Sequence, residues 1–354
     1  MSFAGNLKGL CVILGVLLGS SVATADDLDD LFDIEEHATW AKYMRANRYS
    51  CPGPLDTLSE SRSVEIGGKR YIHRGYQLEL APSSADKDDL VRVGIVSSIK
   101  DVTKGTLRNL RASLEWFKKE EVEWLLVNGD LAKDEFDLEE IIDLLLETKL
   151  PVLVNLGNLD SKGSWARVYK GRYKDHPQLV NGVWIRQIIA DDVEFWMVPG
   201  YYDRRFVHQE SGCVYKKEDV DIFRRKVKAS RKVPLVLVSH GPPKGKGRRA
   251  LDLIHDKKHV GDPELNRLIR RMKIPFGIYG HILEAGGRGV KADMKTAVKP
   301  GKPSTSLHLN SGSVSADPWT LNNGRASYGM SVIMELKGGK ASYRVKRFKH
   351  VFGD

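Results

Sequence analysis

The feature that most constrains the fold is a strand–helix–strand–helix–strand pattern between residues 91 and 156. Three short apolar runs, residues 91–96, 122–128 and 151–156, have the length and the boundaries of buried strands. Between them, apolar residues recur at helical spacing, at Leu107, Leu110, Leu114 and Phe117 and then at Leu138, Ile141, Ile142 and Leu145. This order is typical of a parallel sheet with right-handed crossover helices.

The second half of the chain is richer in strands. Residues 183–189 and 193–198 have the pattern of an antiparallel hairpin. Helices are predicted at 220–227 and 265–272, and strands at 233–239, 275–279, 307–310, 330–336 and 341–348. Together the two halves predict an α/β fold in which two sheets pack on each other and helices flank them.

The first 25 residues have the pattern of a secretory signal peptide. Lys8 precedes an apolar core at residues 10–18, and Ala23-Thr24-Ala25 is typical of a cleavage site. The alternative is a signal anchor that stays in the membrane. No other stretch approaches the ~18 apolar residues of a spanning helix. We therefore expect an exported protein, periplasmic or secreted, with no stable membrane span after cleavage.

Residues 26–89 are predicted to form a short N-terminal extension. Residues 26–36 carry only negative charge, and residues 64–80 have the pattern of two strands joined by Gly67-Gly68. Residues 82–86 are polar and rich in turn formers, which favours a boundary there. The main domain is therefore expected to span residues 90–354.

Cys51 and Cys213 remain after the predicted leader, which contains Cys11. In an exported protein two such cysteines can pair, and the bond would tie the extension to the main domain. The alternative is two unrelated thiols, and spacing alone does not decide between them.

Four predicted strands each end in a polar side chain of metal-ligand type. These residues are Asp130, Asn158, His240 and His281. Because ligands bind at the carboxyl ends of strands in α/β sheets, we expect the four side chains to converge. A carboxylate, an amide oxygen and two imidazoles suit a divalent transition metal. Any single Gly-Asp or Gly-His pair is more often a turn, but four of them in one domain predict a metal site.

With these motifs the chain resembles the calcineurin-like metallophosphoesterase family over roughly residues 90–352. The family pattern is D-x-H, G-D-x-x-D, G-N-H-D/E, a lone His and G-H-x-H. This sequence has Gly129-Asp130, Gly157-Asn158, Ser239-His240 and Gly280-His281 in the corresponding order. The resemblance implies a two-sheet αββα sandwich of the metallophosphoesterase type and metal-dependent hydrolysis of a phosphoester.

The sequence departs from the family at one of the two metal sites. Ser98, Lys100 and Leu283 occupy the positions of the aspartate and two histidines that hold one ion in the family. The resemblance therefore implies a single divalent ion (Mn, Fe or Zn), held by Asp130, Asn158, His240 and His281.

A second departure concerns the reaction itself. Leu159 stands where the family has a histidine that assists the transition state. One ion cannot clamp both the attacking and the leaving oxygen as two ions do. Losing a positioned proton donor costs roughly 10²–10⁴ in rate. We therefore expect weak or divergent hydrolysis, and the alternative is a non-catalytic member that binds a metal or an anionic ligand.

Two further side chains are candidate catalytic groups. The ammonium of Lys100 is a candidate substitute for the missing ion, directed at Asp130; the alternative is that it points to solvent. Asp160 is a candidate ligand of a displaced second ion; the alternative is an ordinary polar loop residue.

The chain is basic, with a formal net charge of +10 at pH 7. Arg248 and Arg249 follow His240 closely, so they are candidates, with Asn158, for binding an anionic substrate. The alternative is a solvated loop. We expect a phosphorylated or other anionic small molecule as the ligand. The aromatic interleaving of a single-strand nucleic-acid platform is not present, so nucleic acid is not the expected partner.

Overall fold

The structure is a computed structural model. It describes residues 38–39, 42, 47–55, 58–86, 88–207, 212–227 and 233–351. The predicted signal peptide and the acidic segment at residues 26–36 lie outside the described residues. The chain divides into two compact units, Met1–Arg48 and Tyr49–Asp354. The described residues of the first unit are helical at positions 38, 39, 42 and 47, and every element named below belongs to the second.

The second unit contains strands and helices in alternation. The strands are β1 (Arg62–Ile66), β2 (Lys69–Arg74), β3 (Gln77–Leu80), β4 (Leu90–Val96), β5 (Trp124–Asn128), β6 (Val152–Asn155), β7 (Leu179–Asn181), β8 (Gln187–Ile189), β9 (Glu194–Val198), β10 (Leu235–Ser239), β11 (Phe276–Tyr279), β12 (Arg288–Val290), β13 (Ala297–Val298), β14 (Leu307–Asn310), β15 (Trp319–Thr320), β16 (Ala326–Ser327), β17 (Met330–Lys337) and β18 (Lys340–Arg347). The helices are α1 (Lys104–Lys119), α2 (Glu135–Leu146), α3 (Lys162–Arg172), α4 (Lys217–Lys226) and α5 (Pro263–Met272).

Two large sheets form the unit. The six-stranded sheet has the order β18-β17-β4-β5-β6-β7, and its strands β4 to β7 are parallel. The ten-stranded sheet has the order β1-β2-β3-β8-β9-β10-β11-β14-β12-β13, with a parallel centre at β9, β10, β11 and β14. Strands β15 and β16 form a separate hairpin. The carboxyl ends of the central parallel strands of both sheets are the places where polar side chains can meet.

The main core lies between the sheets, and helices cover their outer faces. Val93 and Ile95 of one sheet share the inner cluster with Phe195 and Met197 of the other. A second cluster packs α1 and α2 on the six-stranded sheet, through Leu110, Phe117, Ile141, Leu125 and Val127. A third packs α4 and α5 on the ten-stranded sheet, through Phe223, Leu265, Leu268, Trp196 and Leu235. The predicted αββα sandwich is therefore confirmed.

Some elements differ from the predicted ones. The strand predicted at residues 183–189 is shorter, since β8 is Gln187–Ile189 and residues 182–184 form a turn. Helix α3 and strand β7 were not predicted. β1 and β2 pair across Gly67 and Gly68, and β3 pairs with β8, so residues 62–80 extend the larger sheet. The division between an extension and a main domain at residue 90 stays a prediction.

Cys51 and Cys213 form a disulfide. Cys51 also donates a backbone hydrogen bond to the carbonyl of Val214 at 3.0 Å. Of the two alternatives for these cysteines, the structure shows the paired one. No helix in the described part of the chain is long and apolar enough to cross a membrane.

Candidate metal centre

The four predicted ligands lie at the carboxyl ends of four parallel strands. Asp130 and Asn158 follow β5 and β6 of the six-stranded sheet, and His240 and His281 follow β10 and β11 of the other. Asp130, His240 and His281 each bring a ligand atom within 4.8 Å of the others. Asp130, Asn158 and His240 are buried, and His281 is half-buried. The predicted convergence of a carboxylate and two imidazoles is therefore present in the structure.

Two glycines leave room for this approach. Gly129 has a φ of 81°, in the left-handed region that glycine enters without strain, and Asp130, at 58°, adopts the same region at a cost in free energy. A Cβ atom on Gly129 would lie 2.3 Å from Nδ1 of His240. A Cβ atom on Gly157 would lie 2.4 Å from Oδ1 of Asp130. Any larger residue at either position would push the two ligands apart.

The imidazole of His240 is oriented by a backbone carbonyl. Its Nδ1 lies 2.8 Å from the carbonyl oxygen of Asn128. A carbonyl oxygen only accepts, so Nδ1 carries the proton and Nε2 faces Asp130. Nε2 lies 3.1 Å from Oδ1 of Asp130. This arrangement, with one ring nitrogen anchored and the other turned to the site, is typical of metal-binding histidines.

The carboxylate of Asp130 stays ionised although it is buried. Burial by itself would raise its pKa, but the imidazoles of His240 and His281 and the N–H of Leu159 outweigh burial and hold the pKa at about 2. Burial opposes protonation of His240, and the charge of Asp130 overcomes it and raises the pKa of that imidazole. The carboxylate of Asp130 is therefore ionised, and a metal ion binding at Nε2 of His240 would replace the proton that this charge attracts.

The amide of Asn158 presents its oxygen without a hydrogen-bond partner. Nδ2 donates to the carbonyl of Phe206 at 2.6 Å, which fixes the amide plane. Within the described ranges, the buried Oδ1 of Asn158 has no hydrogen-bond partner, whereas Nε2 of His240 faces the carboxylate of Asp130 at 3.1 Å. A buried polar atom without a partner costs about 1–3 kcal/mol. A divalent ion held by Asp130 and the two imidazoles would give this amide oxygen a partner.

The loop after β9 contacts two of the predicted ligands, His281 and Asn158. The ring of His281 packs against Tyr201, with ring centroids 4.1 Å apart, and against Phe206 at 5.8 Å. The hydroxyl of Tyr201 donates to the carbonyl of Val260 at 2.7 Å. Since Phe206 also accepts from Asn158, this one loop positions an amide and an imidazole. Phe206 lies outside the sequence motifs, which carry no signal for this contact.

Asp160 joins the loops that carry the ligands. Its Oδ2 accepts from the N–H groups of Asp130 at 2.8 Å and Gly157 at 2.6 Å, and its Oδ1 accepts from Leu131 at 2.7 Å. Burial, and then the charge of Asp130, raise the pKa of this carboxyl to about 6. Its oxygens are engaged with backbone N–H groups, which favours the loop-residue alternative. A catalytic role for Asp160 stays a prediction.

The three residues that stand at ligand positions of the family's other ion lie on neighbouring loops. Ser98 has a φ of 49° and donates its N–H to the carbonyl of Gly129 at 2.8 Å. Lys100 donates its N–H to the carbonyl of Leu131 at 2.8 Å, and its ammonium lies 5.7 Å from the ring centroid of Trp319. Lys100 and Leu283 line a cavity of about 260 Å³. The role of Lys100 as a charge substitute at Asp130 stays a prediction.

Arg248 and Arg249 are both exposed. The carbonyl of Arg248 accepts from Nη1 of Arg288 at 3.2 Å. Arg248 also lines a cavity of about 670 Å³ at the loop that follows β10. The two arginines stay candidates for contact with an anionic ligand.

Residues 72–285 match the model of the calcineurin-like phosphoesterase family. One solved structure shares 14% identity over 73% of this chain and 100% of its own, with a TM-score of 0.52. A dimetal phosphatase from Danio rerio covers 73% of this chain and 99% of its own, with 11% identity and a TM-score of 0.45. Purple acid phosphatase PPD1 from yellow lupin covers 78% and 54%, with 12% identity and a TM-score of 0.46. No curated relative matches the chain.

The chain belongs to the calcineurin-like phosphoesterase family. Membership indicates metal-dependent phosphoester hydrolysis as the class of chemistry and phosphorylated molecules as the class of substrate. At such low identity the structural likenesses bear on the fold alone.

Proposed function

We propose that the protein is an exported phosphoester hydrolase that uses one divalent ion held by Asp130, Asn158, His240 and His281. The observation that carries the proposal is the cluster of ligand atoms of Asp130, His240 and His281 within 4.8 Å of one another, with the buried amide oxygen of Asn158 unpaired at the end of the strand next to β5. A bound Mn, Fe or Zn ion would supply Lewis acidity and a lower pKa for water.

The side chains of the site would bind and orient the substrate. Asp130 keeps its charge at every physiological pH because its pKa is about 2. Asn158 has a second hydrogen on Nδ2, which can donate to a phosphate oxygen. Arg248 and Arg249, exposed on the loop after β10, attract the anion. These groups bind and orient a phosphoester without supplying a proton donor.

The proposal of a single ion is supported by the three residues that stand at the ligand positions of the family's other ion. Ser98, Lys100 and Leu283 offer a hydroxyl, an ammonium and an alkyl group, and the last two do not bind cations. Weak or divergent turnover is supported by Leu159, whose alkyl side chain cannot transfer a proton to a leaving group. The same observations support the second candidate, a non-catalytic protein that binds metal and anion.

Export is supported by the disulfide, because disulfides persist in oxidising compartments. It is also supported by the leader pattern of residues 1–25, which lie outside the described residues. Detection of the mature N-terminus by mass spectrometry of the secreted or periplasmic fraction tests this part; an intact leader on the native protein would contradict it.

Metal stoichiometry of the purified full chain tests the ion. We expect one ion per molecule, lost in Asp130→Ala and kept in the control Asp134→Ala, an exposed helix cap on the same segment. Two ions, or none, would contradict the proposal. Stoichiometry is measured by inductively coupled plasma mass spectrometry after dialysis against each metal.

Turnover separates the enzyme from the binding protein. Hydrolysis of p-nitrophenyl phosphate and bis-p-nitrophenyl phosphate is measured with added Mn²⁺, Fe²⁺ or Zn²⁺. Retained metal with no turnover under any condition would favour the binding protein. The combined variant Ser98→Asp, Lys100→His, Leu159→His and Leu283→His should gain a second ion and faster turnover if only those groups are missing.

A further inference from the structure

A basic cavity of about 670 Å³ lies on the loops that leave the metal centre. Its volume falls within the range of small-molecule sites. Four of its lining residues have basic side chains and none has an acidic one; they are Arg248, His255, Lys257 and His259. Leu253, Ile254 and Leu321 give it apolar walls, and the first and last of these are buried.

The walls of the cavity come from segments that follow two of the ligands. Residues 247–259 belong to the connection between β10 and α5, which begins at His240. The opposite wall is the β15–β16 hairpin. Its residue Asn322 donates N–H to the carbonyl of Glu284 at 2.9 Å and Nδ2 to the carbonyl of Leu253 at 2.6 Å. Because Glu284 lies three residues after His281, the cavity and the metal centre share one edge of the larger sheet.

The net positive charge of the cavity lining comes from Arg248 and Lys257, because the two histidines lie next to carboxylates. Nδ1 of His259 lies 2.8 Å from Oδ1 of the buried Asp252, so that imidazole is held by a carboxylate. Nε2 of His255 lies 4.0 Å from Oε1 of Glu284. Arg248 and Lys257 are exposed at the rim and give the lining its positive charge. A cavity with two cations and apolar walls suits an anionic group carried on an organic body.

We propose that this cavity binds a second anionic group of the substrate, so that the ligand is a small organic molecule with at least two phosphoryl groups. The inference rests on the proposed function, in which the metal centre takes one phosphoryl group. Arg248 donates to the second group through its planar fork, and Lys257 adds a mobile charge. The cavity then selects bisphosphorylated over monophosphorylated ligands.

Calorimetric titration of the full-length, metal-loaded protein tests the inference. The probes are fructose 1,6-bisphosphate and fructose 6-phosphate, which differ by one phosphoryl group. We expect the bisphosphate to bind about tenfold more tightly than the monophosphate. Arg248→Gln with Lys257→Gln should abolish that difference, because the bisphosphate loses about tenfold more affinity than the monophosphate, and should leave the metal content unchanged.

The matched control is Lys337→Gln with Lys340→Gln, which removes the same charge. Both lysines are exposed, and Lys337 pairs with Leu90 at the amino end of β4, the end of the sheet away from the ligands. The control should bind both probes like the wild type. Equal affinity of the wild type for the two probes, or the same loss in the control pair, would overturn the cavity as a site. Failure of the metal centre is separate, since it would show as absent metal in the same samples.

Discussion

The carboxylate of Asp160 accepts from three backbone N–H groups, on Asp130, Leu131 and Gly157. These groups belong to the loops that carry Asp130 and Asn158. The side chain therefore fixes the separation of two ligands without being one of them. Positioning groups of this kind typically change metal affinity 10–100-fold when they are lost.

Asp160→Asn is expected to lower both stability and metal affinity. An amide keeps one acceptor oxygen and turns a donor toward at least one of the three N–H groups, which leaves that group without a partner. The free energy of unfolding should fall by about 1–3 kcal/mol. Urea unfolding of the metal-free protein and metal titration measure the two effects. Asp134→Asn is the control, because asparagine caps a helix as well as aspartate does; equal stability of the two variants would contradict the role given to Asp160.

A second residue-scale prediction concerns Asp262, which caps α5 and accepts from the hydroxyl of Tyr215 at 2.7 Å. Burial raises the pKa of this carboxyl from 3.8 to about 6. Between about pH 4 and pH 6 the folded protein therefore holds a proton that the unfolded chain has released. Its contribution to stability is present below pH 4 and is lost as the pH rises to 6. At about 1.4 kcal/mol per pKa unit, the loss is at most ~3 kcal/mol.

Asp262→Asn removes this titration and keeps the cap. The variant should therefore become more stable relative to the wild type as the pH rises from 4 to 6, with a constant difference above pH 7. Urea unfolding at half-unit pH steps measures the difference. Parallel pH profiles for the two proteins would show that Asp262 titrates normally.

At the scale of elements, the loop after β9 contacts two ligands, Asn158 and His281, which follow strands of different sheets. Tyr201 packs its ring on His281, and the carbonyl of Phe206 fixes Asn158. The loop is itself anchored, because Gly200 donates N–H to Leu156 at 2.7 Å and Tyr201 donates to Cys213 at 3.0 Å. The positions of Asn158 and His281 therefore depend on the conformation of this loop.

The ring and the hydroxyl of Tyr201 can be separated by mutation. Tyr201→Phe keeps the ring on His281 and loses the hydrogen bond to Val260, so metal affinity should remain within about twofold of the wild type. Tyr201→Leu removes the ring that packs on the imidazole of His281 and should lower metal affinity roughly tenfold. Competition with a chromophoric chelator measures both affinities, and circular dichroism verifies that both variants are folded. Equal metal affinities for Tyr201→Phe and Tyr201→Leu would show that the ring of Tyr201 does not position His281.

The same scale shows what the sequence could predict. The strands that precede Asp130 and His240 are continuous apolar runs followed by a polar residue, so their burial and their end points can be predicted from the sequence. Helix α3 was missed because it buries only Trp165 and Val168, which is too few for a helical period. The contact of Phe206 with His281 was missed because it depends on the path of a loop. Periodicity reports burial along one element, whereas such contacts join elements far apart in the chain.

At the scale of the whole molecule, the site exists because two sheets pack face to face with their parallel strands ending at a shared edge. Neither sheet alone brings a carboxylate and two imidazoles together, since Asp130 follows one sheet and both histidines follow the other. The inner core that joins the sheets includes Ile95, Met197 and Val238. Loss of packing between the sheets would therefore separate the ligands even if each strand kept its own structure.

The disulfide adds a covalent tie to this arrangement. It joins residues 162 positions apart, and Cys213 accepts the hydrogen bond from Tyr201 through its carbonyl. Cys51→Ser with Cys213→Ser should lower the free energy of unfolding by about 2–5 kcal/mol, because a long loop gains entropy in the unfolded chain. The backbone bonds from Cys51 to Val214 and from Tyr201 to Cys213 do not need the sulfurs, so the folded variant should keep its metal at low temperature. Urea unfolding and metal analysis measure the two quantities, with a reductant added to the wild type as the control. The reductant should reproduce the loss in the wild type and have no effect on the variant, whereas a folded variant without metal would mean that the disulfide itself holds the Tyr201 loop in place.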